Sequence, residues 1–190
     1  MITTFPSLKI DIEQYPAVKQ HLLSFGYDRL KQTGDKGSRK KTNNKWFETQ
    51  DSISYWEDFS KQKIVWKRVG SILRFCYDDS GCYALDSTCF ATGSFIKFLI
   101  LFLNSKMGNY MLQDSPKTGT GDLLISVQAI EPLKIPIPPK EDEENFNLLF
   151  DKVFIENDLD KITKFENEIN NLIFNLYNFS ENEKDVITKF

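Results

Sequence analysis

Apolar residues at Val18, Leu22, Phe25 and Leu30 recur at roughly helical spacing through YPAVKQHLLSFGYDRLK, with Pro16 in a first-turn position and Gly34 beyond the end. The pattern predicts an amphipathic helix from Gln14 to about Lys31. The stretch KWFETQDSISYWEDF is mixed and accommodates a short helix followed by a turn. Three β-rich runs come next, IVWKRV, ILRFCYD and CYALDSTCFAT, and DDSG between the last two carries a glycine suited to a tight reversal. Antiparallel strands are expected. In ILRFCYD, strand alternation puts Ile72, Arg74, Cys76 and Asp78 on one face and Leu73, Phe75 and Tyr77 on the other, so at least one face packs inward. Cys76 and Cys89 are then small core-facing or edge residues.

After Gly93 and Ser94, Phe95, Phe98, Leu99, Phe102 and Leu103 form a broad apolar stripe along FIKFLILFLNSKMGNYML, the mark of a largely buried helix. The loop DSPKTGTGD follows, with glycines that permit close backbone approach to a ligand. LLISVQAIEPLKIPIPPK reads as a strand or two running into a stiff proline-rich exit. From Glu141 onward, Phe146, Leu149, Phe150, Val153, Ile162, Phe165, Ile169, Leu172, Ile173, Leu176 and Tyr177 predict one or two long amphipathic helices, with NDLD as a break. The expected fold class is α+β: a mixed or antiparallel sheet with packed helices, then a C-terminal α-helical segment. The expected boundaries are 1–140 for the first domain and 141–190 for a helical tail or hairpin.

Composition narrows the chemistry. The chain has 190 residues, 41% of them apolar, enough to bury a core but too few for two catalytic-size domains. No apolar run has bilayer length, and MITTFPSLKID lacks both a basic and an apolar leader segment, so a cytoplasmic location and no membrane partner are expected. Cys76, Cys82 and Cys89 make an odd count with no metal-ligand spacing, and the single histidine, His21, is read as a helix-face residue. No GxGxxG, Walker, HExxH or GxSxG motif occurs. A metal-dependent hydrolase built on Asp78, Asp79 and Asp86 is a minor alternative, since DDSG is more simply a turn.

Charge is divided along the chain. Residues 1–140 carry 19 Lys and Arg against 14 Asp and Glu, whereas residues 141–190 carry 5 against 13, so a mildly acidic average of −3 hides a basic front and an acidic rear. Lys36, Arg39, Lys40, Lys41 and Lys45 sit in GDKGSRKKTNNKW, which is too polar to form a core and reads as an exposed loop. Ser38, Thr42, Asn43, Asn44 and Gln50 add groups able to bond base edges, and Trp46, Phe47, Tyr55, Trp56 and Trp66 are interleaved. Large aromatics of this kind are more often core than stacking surfaces. The expected DNA-binding set is Lys36, Arg39, Lys40, Lys41, Asn43, Asn44 and Lys45, with Lys67, Arg68, Lys117 and Thr118 as further contacts. The bland alternative is a solvated loop whose cations only confer solubility, on a protein-protein interaction module with no direct DNA contact.

Several segments together resemble a known family. RKKTNNKWFETQDSISYWEDFSKQKIVWKRV contains a W-[FY]-E-x-Q element followed by a lysine-containing KI[IV] strand; STCFATG, LNSKMGNYML and SPKTGTGDLLISVQAIEPLKIPIPP follow in order. In that order they are similar to the TaqI-like C-terminal specificity domains of Type II restriction-modification enzymes, in which nuclease, adenine-specific DNA methyltransferase and target recognition share one chain. The IPIPP exit is more loosely similar to target-recognition domains of type I specificity subunits. The resemblance implies a reader of double-stranded DNA with no catalysis and no cofactor in this fragment. S-adenosylmethionine and Mg would belong to the parent restriction endonuclease and methyltransferase. The sequence lacks an FxGxG-like loop and a [DNS]PP[YF] motif, so it resembles the recognition portion alone. The implied partners are duplex DNA and the methyltransferase/nuclease domain, with self-association through the C-terminal helices as a further use of their apolar faces.

Overall fold

A computed structural model describes residues 2–51 and 53–189, and the chain parts into two units, Met1–Glu57 and Asp58–Phe190. The fold class is α+β, with eight helices and five short strands among the described residues. Regular structure is sparse in the first unit. Single 3-10 turns at Pro6–Leu8 and Ile12–Gln14 lead into α1 (Pro16–Leu23) and the one-turn α2 (Tyr27–Leu30). The continuous helix expected from Gln14 to Lys31 is therefore two pieces. Gly26 between them takes a φ of 92°, a left-handed conformation open to glycine and incompatible with helix propagation. Val18 and Leu22 are only half-buried and Phe25 is exposed; the buried apolar residues of this unit are Phe5, Ile12, Leu30 and Phe47.

The second unit is built on β1 (Lys63–Lys67), β2 (Val69–Gly70), β3 (Phe75–Asp78), β4 (Thr88–Ala91) and β5 (Leu123–Leu124). The central strand is β1, paired antiparallel with β3 on one side and β4 on the other. Ile64 faces Tyr77 and Ala91, and Trp66 faces Phe75 and Cys89. A direct reversal between the second and third β-rich runs is thus not what forms, because those runs lie on opposite edges of the sheet. Local bonds explain the departure of the chain: the Asp78 carboxylate accepts the Ser80 N–H at 2.9 Å, while its other oxygen accepts the Lys63 ammonium at 2.8 Å and fixes β3 to β1. A separate ribbon pairs β2 with β5, and the Trp66 indole N–H donates to the Ile125 carbonyl at 2.8 Å. The expected strand or two after residue 122 is only this short β5, followed by the one-turn α5 (Val127–Ile130).

The single helix expected over residues 95–112 is also two, α3 (Ile96–Asn104) and α4 (Lys106–Leu112). Ser105 separates them in an extended conformation, and its hydroxyl accepts the Gly108 N–H at 3.2 Å as an N-cap. Glycine is required at position 108, since a Cβ there would lie 2.3 Å from the Phe102 carbonyl oxygen. Of the expected apolar stripe, Phe98, Phe102 and Leu103 are buried and Phe95 and Leu99 half-buried, while Ile96, Ile100 and Leu101 outside it are buried as well.

Long amphipathic helices close the core. NDLD does break the C-terminal segment, giving α6 (Lys140–Ile155) and α7 (Leu159–Tyr177), with Asp158 accepting the Asp160 and Lys161 N–H groups as the cap of α7. A third helix, α8 (Glu181–Thr188), starts at a capping box formed by Ser180 and Glu183. Phe146, Leu149, Phe150, Ile169, Ile173, Phe174 and Ile187 join one buried cluster with Ile64, Trp66, Phe75, Phe98 and Phe102. This corrects the boundary expected at 140/141. The acidic helices are not a tail, because their apolar faces complete the core of the unit that begins at Asp58.

Candidate nucleic-acid interface

The basic loop of the first unit is ordered by polar bonds. Backbone hydrogen bonds tie Arg39 N–H to Lys31 O, Gly34 N–H to Arg39 O and Thr42 N–H to Gln32 O. Gln32, only 6% exposed, donates from its amide to the carbonyls of Lys45 at 3.1 Å and Glu48 at 2.7 Å, and its own amide oxygen accepts the Thr42 hydroxyl. The buried Glu48 carboxylate accepts the Lys45 N–H at 2.7 Å. A loop that cannot bury much apolar surface gains its shape here from side chains satisfying carbonyls that would otherwise lose their bonds to water.

Those bonds divide the expected contact residues into two kinds. One guanidinium nitrogen of Arg39 donates to the Glu48 carbonyl at 2.8 Å, and the Asn44 amide donates to the carbonyls of Thr49 at 2.9 Å and Gln50 at 3.2 Å. Both side chains brace the loop. The Gln50 amide reaches back to the Lys40 carbonyl. The Lys45 ammonium lies 3.5 Å from the Ile10 carbonyl and 5.6 Å from the centre of the Phe47 ring. By contrast, Lys36, Lys40, Lys41 and Asn43 are exposed, and their side chains make no hydrogen bond or ion pair with other described residues. Sequence composition does not separate braces from free groups, because the distinction lies in which backbone carbonyls come within reach.

The remaining expected contacts belong to the second unit. Lys67 is exposed at the end of β1 opposite Thr88, and Arg68 is exposed while its backbone bonds Ser87 and Ile125. Lys117 is exposed beside Leu123. Thr118 is committed to its own turn: its hydroxyl accepts the Asp122 N–H at 3.2 Å and shares a hydrogen bond with Thr120 at 2.8 Å. Among the aromatics, Phe47 and Trp66 are core, Trp46 is half-buried against Tyr27 and Phe47, and Tyr55 and Trp56 are exposed.

Two features escaped the sequence reading. The first is Lys63, fully buried, whose ammonium bonds the Asp78 carboxylate at 2.8 Å and the Phe59 carbonyl at 2.8 Å. The lysine together with the Ser80 hydroxyl and N–H holds the Asp78 carboxyl down at about 2. That acid is therefore engaged within the fold, and no group of three His, Cys, Asp or Glu able to hold a metal occurs among the described residues. Neighbouring Tyr77 has its phenol pushed up by burial and by the adjacent Asp79.

The second is a groove of about 700 Å³ between β3, α3, α4, α6 and α7, with Arg74, Lys106 and Glu166 among its polar lining. Asn104 stands at its base, where its amide donates to the Phe75 carbonyl at 2.7 Å and accepts the Phe75 N–H at 3.0 Å, capping the open edge of β3 as a further strand would. The nearest signal in the sequence was LNSKMGNYML, read as helix alone. A smaller groove of about 360 Å³ is lined by Lys67, Arg74 and Thr88. No helix among the described residues is long and apolar enough to cross a membrane. Comparison with known proteins gives no matching family model and no matching curated sequence.

Proposed function

We propose that the chain reads double-stranded DNA for a restriction-modification enzyme, as the specificity portion of a fused endonuclease and adenine-N6 methyltransferase acting in the cytoplasm. The observation that supports this most is the pairing of a braced loop with free cations. Gln32, Arg39, Asn44 and Glu48 hold the backbone of residues 31–50, so the side chains of Lys36, Lys40, Lys41 and Asn43 are presented without partners among the described residues. Cations held this way supply phosphate neutralisation at a reduced ordering cost, and a free asparagine amide can read an adenine edge. Arg39 and Asn44 then act first as braces, with Lys45, Lys67, Arg68, Lys117 and Thr118 as secondary contacts. Catalysis, S-adenosylmethionine and Mg belong to the partner methyltransferase/nuclease part.

Fluorescence anisotropy on duplex DNA over a range of salt, with the chain joined to its catalytic half, tests the reading. Each phosphate contact contributes about −0.9 to the slope of log affinity against log salt. Replacing Lys36, Lys40 and Lys41 by alanine is expected to flatten that slope by about 2–3. Binding that is absent, or insensitive to salt, overturns the proposal.

A second reading, a protein-interaction module, draws on Leu148, Ile155 and Leu159, which are exposed apolar side chains on α6 and α7. On that reading neutralising Lys40 and Lys41 leaves function intact. The two readings share the surface of α6 and α7 as a seat for the catalytic part or another copy.

A further inference from the structure

We infer that the larger groove of the second unit is a binding site for a nucleoside phosphate, with the base stacked on Phe154 and the phosphate held by Arg74 and Lys106. The unit as a whole is acidic, with 15 Lys and Arg against 20 Asp and Glu over residues 58–190. The groove reverses that balance, since Arg74 and Lys106 face a single acid, Glu166. Neither cation has an ion pair or side-chain hydrogen bond with another described residue, although Lys61, Lys63, Lys97, Lys161 and Lys184 of the same unit are all paired with carboxylates. Other cations of the unit, Lys67, Arg68 and Lys117 among them, also lack an ion pair with described residues. What sets Arg74 and Lys106 apart is that both line one groove whose lining holds a single acid, which gives it a local excess of positive charge for an anion.

The apolar side of the groove specifies the rest of the ligand. Phe154 is 62% exposed, yet its ring is held in place: it stacks on buried Phe150 at 5.5 Å and 17°, and Tyr77 meets it edge-on at 5.8 Å. A rigid, exposed ring face is a stacking platform for a planar base, which an acidic peptide would leave unused. Hydrogen-bonding capacity also remains. Asn170 uses its amide oxygen to accept the Lys106 N–H at 2.9 Å, and Asn109 uses its amide nitrogen to donate to the Ser105 carbonyl at 2.9 Å. One donor group on Asn170 and one acceptor on Asn109 are therefore left to a base edge. The groove volume suits a ligand of this size. The free loop cations of the first unit take no part, so this inference stands or falls apart from the duplex-binding proposal.

Titration calorimetry of the full chain with adenosine monophosphate, cytidine monophosphate, inorganic phosphate and a short single-stranded oligonucleotide provides the test. Two outcomes support the site: a mononucleotide binding with a dissociation constant of about 1 mM or tighter, or binding of the oligonucleotide alone, which identifies the source as a strand. In either case F154A is expected to weaken binding about tenfold with only a small drop in the thermal midpoint, because the ring it removes is mostly exposed and gives up only its contacts with Phe150 and Tyr77. R74Q/K106Q is expected to weaken it by a similar factor and to flatten its salt dependence. Replacing Lys36, Lys40 and Lys41 leaves nucleotide binding as it was and serves as the control. No binding by any nucleotide probe, inorganic phosphate binding as tightly as the nucleotides, or equal binding by wild type, F154A and R74Q/K106Q overturns the inference.

Discussion

Lys41 and Lys63 carry the same ammonium group and meet opposite fates. Lys41 stands exposed on a loop with no side-chain partner among the described residues, whereas Lys63 is wholly enclosed and bonded to Asp78 and the Phe59 carbonyl. The contrast extends to the units that contain them. The loop of the first unit takes its form from Gln32, Glu48, Arg39 and Asn44 bonding to main chain, while the second unit is ordered by Phe98, Phe102, Phe146, Ile173 and their neighbours. A polar framework leaves cations free at the surface, where they can meet a ligand. An apolar framework tolerates a cation only if acceptors surround it.

The most severe way to attack this contrast is Asp78→Asn, which strands the buried Lys63 ammonium without its counter-charge. A loss of about 3–5 kcal/mol is expected in urea unfolding of the second unit. Lys63→Met should cost distinctly less, since it removes the enclosed charge and leaves Asp78 near solvent with Ser80 still bonded to it. Equal losses from the two variants would show that burial is not what distinguishes this lysine.

Acid provides a second probe of the same pair. The Asp78 carboxyl is held at about 2 in the fold, below its ordinary 3.8. A depressed acid contributes its full stability above the unfolded value and loses it as the pH falls through the folded one, so stability should decline from about pH 4 towards pH 2. In Asp78→Asn that portion of the pH dependence disappears. A profile identical to wild type would remove the pair from the account of acid unfolding.

On the polar side, Gln32→Ala deprives the carbonyls of Lys45 and Glu48 of a buried donor. The expected cost is about 1–3 kcal/mol. Hydrogen exchange should show the Thr42 and Glu48 amides losing protection while amides of β1 and α3 keep theirs. Uniform loss across both units would mean that the loop is not independently braced. The gentlest change is Lys36, Lys40 and Lys41 to alanine, which should shift stability by no more than about 0.5 kcal/mol. The same variant should weaken duplex binding at low salt; a large shift in its melting temperature would instead assign those lysines a structural role.

Much of the second unit was legible. The strand-forming halves of the β-rich runs, Phe75–Asp78 and Thr88–Ala91 beside Lys63–Lys67, most of the apolar stripe from Phe95 to Leu103 and the NDLD break all rest on local periodicity or local capping, which neighbouring residues largely decide. α8 was announced by Ser180 and Glu183 at capping-box spacing, a signal passed over beside the stronger apolar pattern before it. Pairing was harder: DDSG permits a hairpin, but the Lys63–Asp78 bond and the register of β1 place the flanking strands on opposite edges. In the basic loop, the exposure of Lys36, Lys40, Lys41 and Asn43 followed from composition, whereas the bracing roles of Arg39 and Asn44 depend on carbonyls brought near by the turn itself. The groove beside Phe154 could not be read at all, because β3, α3, α4, α6 and α7 each contribute only part of its wall.

The chain by itself determined where helices and strands can form, which faces are apolar, and that cations gather ahead of an acidic, helix-forming rear. Those properties depend on spacing and side-chain chemistry within a few turns of backbone. Only the folded arrangement decided that the acidic helices belong inside the second core, that Lys63 is enclosed while Lys41 is free, and that Arg74 and Lys106 share a groove. Each of these outcomes depends on groups distant in sequence, and burial, charge pairing and cavity shape are properties of the assembled neighbourhood.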